Sequence, residues 1–445
     1  MTGAIQNQQH EAPNLESFAV VHWVESTHTP SHLERFAEIT RELARIGVSQ
    51  VLMSGEDGLR MAIDRSGSLE EFGFPKEVTV VPLPTHRTDA ASVESEIPHD
   101  SAFALWQYMN DPSVVSERQG VIEKTLGAIQ DRGLRVSHVI PEMYPVGMCI
   151  LGSEVEFLYH TTKALFPDAK VTPLARDIPA MIPGSRFNDP YDQLERMRRY
   201  ADSLFVRGDE GVLEKYYGQY GMDDAIRSKL RVVGHFIGRS IPAKNFGIPE
   251  QERRVLVSAG GSSSGAAREE NEYYKFFRQI IAAKPLTTVA DHAWTVCVPE
   301  DFPTELRAEV SEAAELAGGV EIRANMSIAE HRQAIVDSIL FVTVSGYSGM
   351  LAGIQSRVPT VVVPAQLQKS EVQRDVIDRS QQYHDKGLVT QIATPQLDDL
   401  PKTAQLINQR LLAGPAPESK IPHIDGARVL ARYIQDDLRS LTLGN

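Results

Sequence analysis

The sequence predicts an α/β protein built from two Rossmann-like, doubly wound units in tandem. Three observations carry this. Short apolar runs of strand length alternate with segments of helical periodicity along almost the whole chain, as parallel sheets with helices on both faces require. The alternation is interrupted once, over residues 241–252, by a polar stretch holding Pro242, Gly247 and Pro249, and then restarts. In the second half, two buried-type strands end in turns of glycine and serine before a helix opens.

The elements follow in order. Phe18-Ala-Val-Val-His-Trp-Val24 reads as a buried first strand. Residues 31–46 are helical, with Leu33, Phe36, Ile39, Leu43 and Ile46 on one face. Ser31 is read as the N-cap, and Glu34 completes a capping box. Residues 50–54 and 78–82 are strands, and the irregular stretch 89–111 is an expected mobile insertion. Then come a helix (113–132), a strand (136–141), a helix (153–166), a strand (169–173), a helix (191–203) and extended segments at 204–206 and 231–233. In the second half, strands fit 255–258, 294–298, 320–322, 340–344, 360–363 and 389–392, with helices between them. The expected organisation is a disordered tail (1–16), an N-terminal domain (17–240), a linker (241–252), a C-terminal domain (253–425) and a last helical segment (426–445) packing back across the linker.

Composition bounds the function. A chain of 445 residues is too long for one ordinary core. A formal charge of −14 argues against a general nucleic-acid or anionic-membrane binder. The two cysteines, Cys149 and Cys297, lie far apart in apolar runs and are read as buried thiols, not a disulfide framework. The N-terminal segment lacks an apolar signal core, and no apolar run reaches membrane-spanning length, so a cytoplasmic protein is expected. His235 and His292 have no ligand-spaced partners, so no metal is assigned. A homodimer stays open.

Two turns carry the chemistry. The strand Arg254-Val-Leu-Val-Ser258 runs into Gly260, Gly261, Ser262, Ser263, Ser264 and Gly265, where small residues let a phosphate approach backbone N–H groups. No Gly-Lys-Ser/Thr follows, so this is not a P-loop, nor is it a GxGxxG fingerprint. The strand 339–344 runs into Ser345, Gly346, Tyr347, Ser348 and Gly349, and a diphosphate could rest on the helix that starts there. The strand 360–363 leads to Gln366, Glu371 and Gln373, which would meet sugar hydroxyls at the same sheet edge or stand as plain surface residues.

These residues resemble the C-terminal half of GT-B glycosyltransferases, in particular family 28. That group includes the N-acetylglucosaminyltransferase completing the peptidoglycan lipid precursor, together with predicted glycosyltransferases related to it. The family's Gly-Gly-x-x-x-Gly turn stands here as Gly260–Gly265, and its Gly-Tyr turn as Gly346–Gly349. Its Pro-x-x-x-x-Pro strand is Pro359–Pro364, and its Glu-Gln helix start is Glu371-Val-Gln373. The N-terminal half agrees more loosely through Val20–Trp23, His32-Leu33, residues 80–84, 141–147 and 176–179. Two departures stand out. Glu25-Ser-Thr-His-Thr-Pro-Ser31 replaces the family's glycine-rich loop, and Ala352 stands where the family carries a ribose-binding carboxylate.

The resemblance implies the GT-B fold, with two Rossmann-like domains facing a central cleft. It implies transfer of a sugar from a nucleotide-diphosphate donor, UDP-linked by preference, to a small acceptor, with inversion and without a cofactor or obligatory metal. His32 becomes the candidate base. The donor would meet residues 260–265 and 345–349, with Arg323, Asn325 and Met326 near the base. Glu25, His28 and Glu142 are weaker candidates on the acceptor or sugar side, and Arg176 and Asp177 read as a local ion pair. Two rival readings remain: a nucleotide-sugar hydrolase or 2-epimerase on the same fold, and a non-catalytic GT-B-like partner subunit, which the altered loop and Ala352 would suit.

Overall fold

The computed structural model describes residues 15–24, 31–85, 112–142, 144–145, 152–176, 178–179, 181, 189–236, 242, 248–259, 272–298, 302, 304–324, 326–344, 346–364 and 374–443. The first half runs β1 (Phe18–Val24), α1 (Ser31–Arg45), β2 (Ser49–Gly55), α2 (Glu56–Ser66), α3 (Leu69–Phe72), β3 (Val78–Leu83), α4 (Pro112–Asp131), β4 (Arg135–Pro141), α5 (Gly152–Leu165), β5 (Lys170–Val171), β6 (Leu174–Ala175), α6 (Pro190–Tyr200), β7 (Leu204–Arg207), α7 (Val212–Tyr217), α8 (Asp224–Arg227) and β8 (Leu230–Gly234). The second half runs β9 (Val255–Ser258), α9 (Glu272–Ala283), β10 (Trp294–Cys297), α10 (Thr304–Ala317), β11 (Val320–Arg323), α11 (Ile328–Asp337), β12 (Leu340–Val344), α12 (Tyr347–Gln355), β13 (Thr360–Val363), α13 (Arg374–Asp385), β14 (Thr390–Gln391), α14 (Leu400–Ala413) and α15 (Gly426–Leu443).

All the strand pairs in the sheets are parallel, as crossover helices demand. The N-terminal sheet has the order β3-β2-β1-β4-β5, and β6-β7-β8 continue it through a parallel bridge between Glu142 and Leu174. The C-terminal sheet has the order β11-β10-β9-β12-β13-β14. Both orders reverse beside their first strand, between β1 and β4 and between β9 and β12. That reversal opens a crevice at the carboxyl ends of the strands, where ligands of such sheets bind.

Burial on both faces explains the uniform apolar strands. All seven residues of β1 are buried. One face of the N-terminal sheet packs on Leu33, Phe36 and Leu43 of α1 and on Leu430, Ile434 and Leu438 of α15. The other packs on Ile122 and Leu126 of α4 and Val155 and Leu158 of α5. The C-terminal sheet buries Phe276, Phe277 and Ile280 of α9 on one side, and Met350, Leu351 and Ile354 of α12 on the other.

Several sequence expectations shift. Of the strand expected over 169–173 only Lys170–Val171 is one, and a second short strand, Leu174–Ala175, starts after Pro173, which cannot donate to a ladder. The helix expected over 191–203 is Pro190–Tyr200, capped by Asp189, whose carboxylate accepts from the N–H groups of Tyr191 and Asp192. It ends before Asp202, whose side chain accepts from the Val171 N–H at 2.8 Å. Ser31, read as an N-cap, is the first residue of α1. Glu34 instead lies 3.7 Å from Arg332 of the second half. The expected insertion at 89–111, the tail to residue 14 and Cys149 lie outside the described residues. Cys297 is half-buried, and burial pushes its thiol up to about 12. Among the described residues, no helix is long and apolar enough to cross a membrane.

Gly353 sets how closely α12 seats on its sheet. A Cβ there would stand 2.5 Å from Thr360 Oγ1 and 2.9 Å from Phe341 Cδ1. Gly353→Ala should destabilise the protein by about 1–3 kcal/mol through overpacking. Thermal unfolding checks this, and an unchanged midpoint would mean that the helix can lift away freely.

Buried imidazoles make a second expectation. Burial brings His22 down to about 4, against its hydrogen bond with Gln50. Burial, with Arg332 alongside, brings His331 down to about 4, and burial lowers His138 as well. Because the folded values lie below the unfolded value of 6.5, the unfolded chain takes up protons first. The stabilisation is complete above about 6.5 and is lost as pH falls toward about 4. For His22 alone this is on the order of 3 kcal/mol. Denaturant midpoints should hold from pH 7.5 to about 6.5 and then fall toward 4.5; a flat profile would show that burial does not depress these histidines.

Candidate functional site

The first half of the site grows from the crevice between β1 and β4. His32 lies in the first turn of α1, the helix that follows β1, and Glu142 immediately follows β4. Glu142 N–H donates to Trp23 O at 3.0 Å, which fixes the carboxylate's origin at the strand ends. His32 Nδ1 stands 2.6 Å from Glu142 Oε2. Arg35, one helical turn further along α1, donates from Nε at 3.1 Å and from Nη2 at 2.7 Å to Glu142 Oε1. Arg207, the last residue of β7, brings Nη1 to 4.0 Å from the same oxygen.

The electrostatics follow from this crowding. Burial alone would raise Glu142, but His32, Arg35 and Arg207 outweigh it and hold the carboxyl well below the usual carboxylate range. Burial pushes His32 down, against the pull of Glu142. The arrangement is a neutral imidazole donating Nδ1–H to an ionised carboxylate. Nε2 then carries the lone pair, and 15% of the side chain stays exposed.

The second half of the site lies at the matching reversal between β9 and β12. Gly346 is the N-cap of α12 and has no side chain with which to cap it. The first-turn N–H groups, at Tyr347, Ser348 and Gly349, precede the first intrahelical bond, Met350 N–H to Gly346 O. A Cβ on Gly346 would meet nothing within 4 Å, so the space beside the helix start is open.

Tyr347 ties the two halves together. Its hydroxyl stands 3.0 Å from His235 Nδ1 and accepts from the Phe236 N–H at 3.3 Å. The guanidinium of Arg207 lies 5.3 Å from its ring centroid, and that of Arg379 lies 5.5 Å away. His235 Nε2 is 3.5 Å from Asp209 Oδ1, and Asp209 is also paired with Lys386. Tyr383 O–H reaches His235 Nε2 at 3.5 Å.

The other candidates divide. Arg323 is exposed and donates to Glu321 at 3.0 Å, and Met326 Sδ lies 3.7 Å from Cys297 Sγ. Ala352 is buried with Leu256, Ile335, Phe341 and Val358. Arg176 acts on His32 as a nearby positive charge. Glu25, His28, Asp177, Gly260, Gly261, Ser262, Ser263, Gly265, Asn325, Ser345, Gln366, Glu371 and Gln373 lie outside the described residues. Among the described residues, no cluster of three His, Cys, Asp or Glu side chains could hold a metal. Sequence reasoning missed Arg35, Arg207, Asp209, Arg379, Tyr383 and Lys386, and gave His235 no partner. Arg35 was legible in principle, being three residues from His32 on the same helical face. Arg207 closes an extended run and so had to fall at a sheet edge.

No protein-family model matches the chain, and no curated protein matches it. Solved structures do match. A putative UDP-N-acetylglucosamine 2-epimerase from Listeria monocytogenes aligns with TM-score 0.57 at 13% identity, over 93% of this chain and 94% of that one. MurG of Acinetobacter baumannii aligns with TM-score 0.53 at 11% identity, over 95% and 99%. The S. aureus MnaA–UDP co-structure aligns with TM-score 0.58 at 11% identity, over 95% and 97%. These alignments cover nearly the whole chain and both of its parallel sheets: the chain has the GT-B fold.

Proposed function

We propose that the chain is a glycosyltransferase that moves a sugar from a UDP-sugar to a hydroxyl or amine of a small acceptor, with inversion and without an obligatory metal. The observation that carries this is the His32–Glu142 pair at one strand-order reversal, joined through Arg207 and Tyr347 to the glycine-capped helix start at the other. In this reading the acceptor O–H attacks the anomeric carbon as the bond from that carbon to the phosphate oxygen breaks. His32 Nε2 takes the acceptor proton, and Glu142 stabilises the imidazolium that results. The departing UDP gains negative charge against the first-turn N–H groups of α12. His32 then returns its proton to solvent.

UDP as the nucleotide is supported by the MnaA–UDP co-structure and by the 2-epimerase among the fold neighbours. That epimerase also keeps the hydrolase or 2-epimerase reading in play. Glu142 weighs against it, because a carboxylate locked ionised by Arg35 and His32 has no proton to give. The partner-subunit reading has less support, since it leaves a buried, oriented imidazole without a task.

Two variants test this. His32→Ala should lower turnover by roughly 10²–10⁴-fold while leaving UDP affinity nearly unchanged. Turnover within about threefold of wild type would remove His32 from the mechanism. Gly346→Asp should abolish UDP binding in calorimetry, by placing a like charge where the diphosphate rests, without unfolding the protein. Wild-type affinity in that variant would put the phosphate site elsewhere. Release of free or C2-epimerised sugar from a UDP-sugar alone would move the assignment to the rival chemistry.

A further inference from the structure

Arg207 stands where the ladder between β7 and β8 slips. Val206 pairs with Val232 but Arg207 pairs with Gly234, so Val233 is the extra residue of a bulge. Bulges beside sites re-aim side chains. Gly234 takes φ +85 there, and a Cβ on it would stand 3.3 Å from His423 O. The chain therefore adopts a glycine-favouring conformation at the residue opposite Arg207.

The Arg207 side chain is 3% exposed and anchored from three directions. Nε donates to Ala175 O at 3.2 Å, Nη1 lies 4.0 Å from Glu142 Oε1, and the guanidinium lies 5.3 Å from the centroid of the Tyr347 ring. Taking a guanidinium out of water costs several kcal/mol, a cost that an apolar residue would not carry. A leucine would close the same gap at a sheet edge. What only the guanidinium does is touch both the carboxylate that orients His32 and the aromatic residue that opens α12.

We propose that Arg207 is a positioning residue of the transfer reaction, holding the His32–Glu142 pair of the N-terminal half in register with the helix start at Tyr347 in the C-terminal half. This rests on the transferase reading. Its consequence is coupling: UDP bound at the helix start is felt at His32, and the protonation of His32 is felt in the affinity for UDP.

The test uses the full chain labelled with ¹⁵N-histidine, with the His32 signal assigned by its loss in His32→Ala. The His32 titration is followed with and without saturating UDP in wild type, Arg207→Ala and Arg207→Lys, and UDP affinity is measured by calorimetry. In wild type, UDP should shift the His32 midpoint. In Arg207→Ala the UDP-free midpoint should rise by roughly half a unit or more, since a nearby cation has gone. The response to UDP should then disappear, and Arg207→Lys should restore part of both. Should Arg207→Ala fail to fold, Arg207→Gln removes the charge while keeping a polar group. If wild type binds UDP and the charge-removing variant keeps both the wild-type midpoint and the wild-type response, Arg207 only packs, and the proposal falls while the transferase reading stands. If wild type takes up no UDP, the donor reading falls, and the proposal that rests on it falls too.

Discussion

A buried carboxylate cannot stand alone, and the N-terminal half is arranged around one. Glu142 is 2% exposed at the edge of the sheet. An unpaired charge there would cost several kcal/mol. It is compensated by groups from two separate elements, Arg35 and His32 from α1 and Arg207 from β7. Each contact constrains its element. The rotation of α1 about its axis is set by two residues, one turn apart, bonded to one carboxylate. The exit of β7 is set by the reach of Arg207. The same charge then dictates the state of His32. With two guanidiniums keeping Glu142 ionised, the imidazole donates from Nδ1 and keeps its lone pair on Nε2. Packing, tautomer and basicity are one arrangement seen from three sides.

The junction of the halves has a different character. Its polar contacts are Glu34 with Arg332, Tyr347 with His235, and Asp209 with Lys386, and Ile328 of α11 adds an apolar contact to the N-terminal core. Asp209 and Lys386 are partly exposed and their pair contributes little, whereas Arg332 and His235 are buried and bind their partners more firmly. A chain strap holds the halves together. His235 N–H donates to His423 O at 3.0 Å, and Gly426 N–H donates back to His235 O at 3.2 Å. From there α15 is anchored by Leu430, Ile434 and Leu438 in the N-terminal core. In the transferase reading, a junction of this kind would have to part and re-form as the cleft closes over the substrates and excludes water.

The sequence carried the strands well because burial on both faces writes them as continuous apolar runs, as in Phe18–Val24 and Leu340–Val344. It carried α2 poorly. Its apolar residues Leu59, Met61, Ala62 and Ile63 are few and interrupted, and Ile63 is exposed. Strand β6 holds two residues and was hidden behind Pro173. His32 and Glu142 were legible one at a time, from a helix start and a strand end. Their 2.6 Å contact joins residues 110 positions apart, and no local pattern encodes such a pairing. The roles of Arg207 and His235 were hidden for the same reason, because each is defined by a side chain in the other half of the chain.

Ala352 shows how a sequence departure can mislead. Aligned by spacing alone, it replaces a carboxylate that would hold a ribose. In the folded chain the position lies on the apolar underside of α12, in contact with Leu256, Phe341 and Val358. A carboxylate introduced there would be buried without a partner, at a cost of several kcal/mol. The next residue, Gly353, is already pressed against Thr360 and Phe341, so the helix has no room to rotate and expose position 352. The alanine is therefore part of how this helix seats on its sheet. In the transferase reading the ribose must be held from another element, and the helix start that faces the cleft is left to the diphosphate.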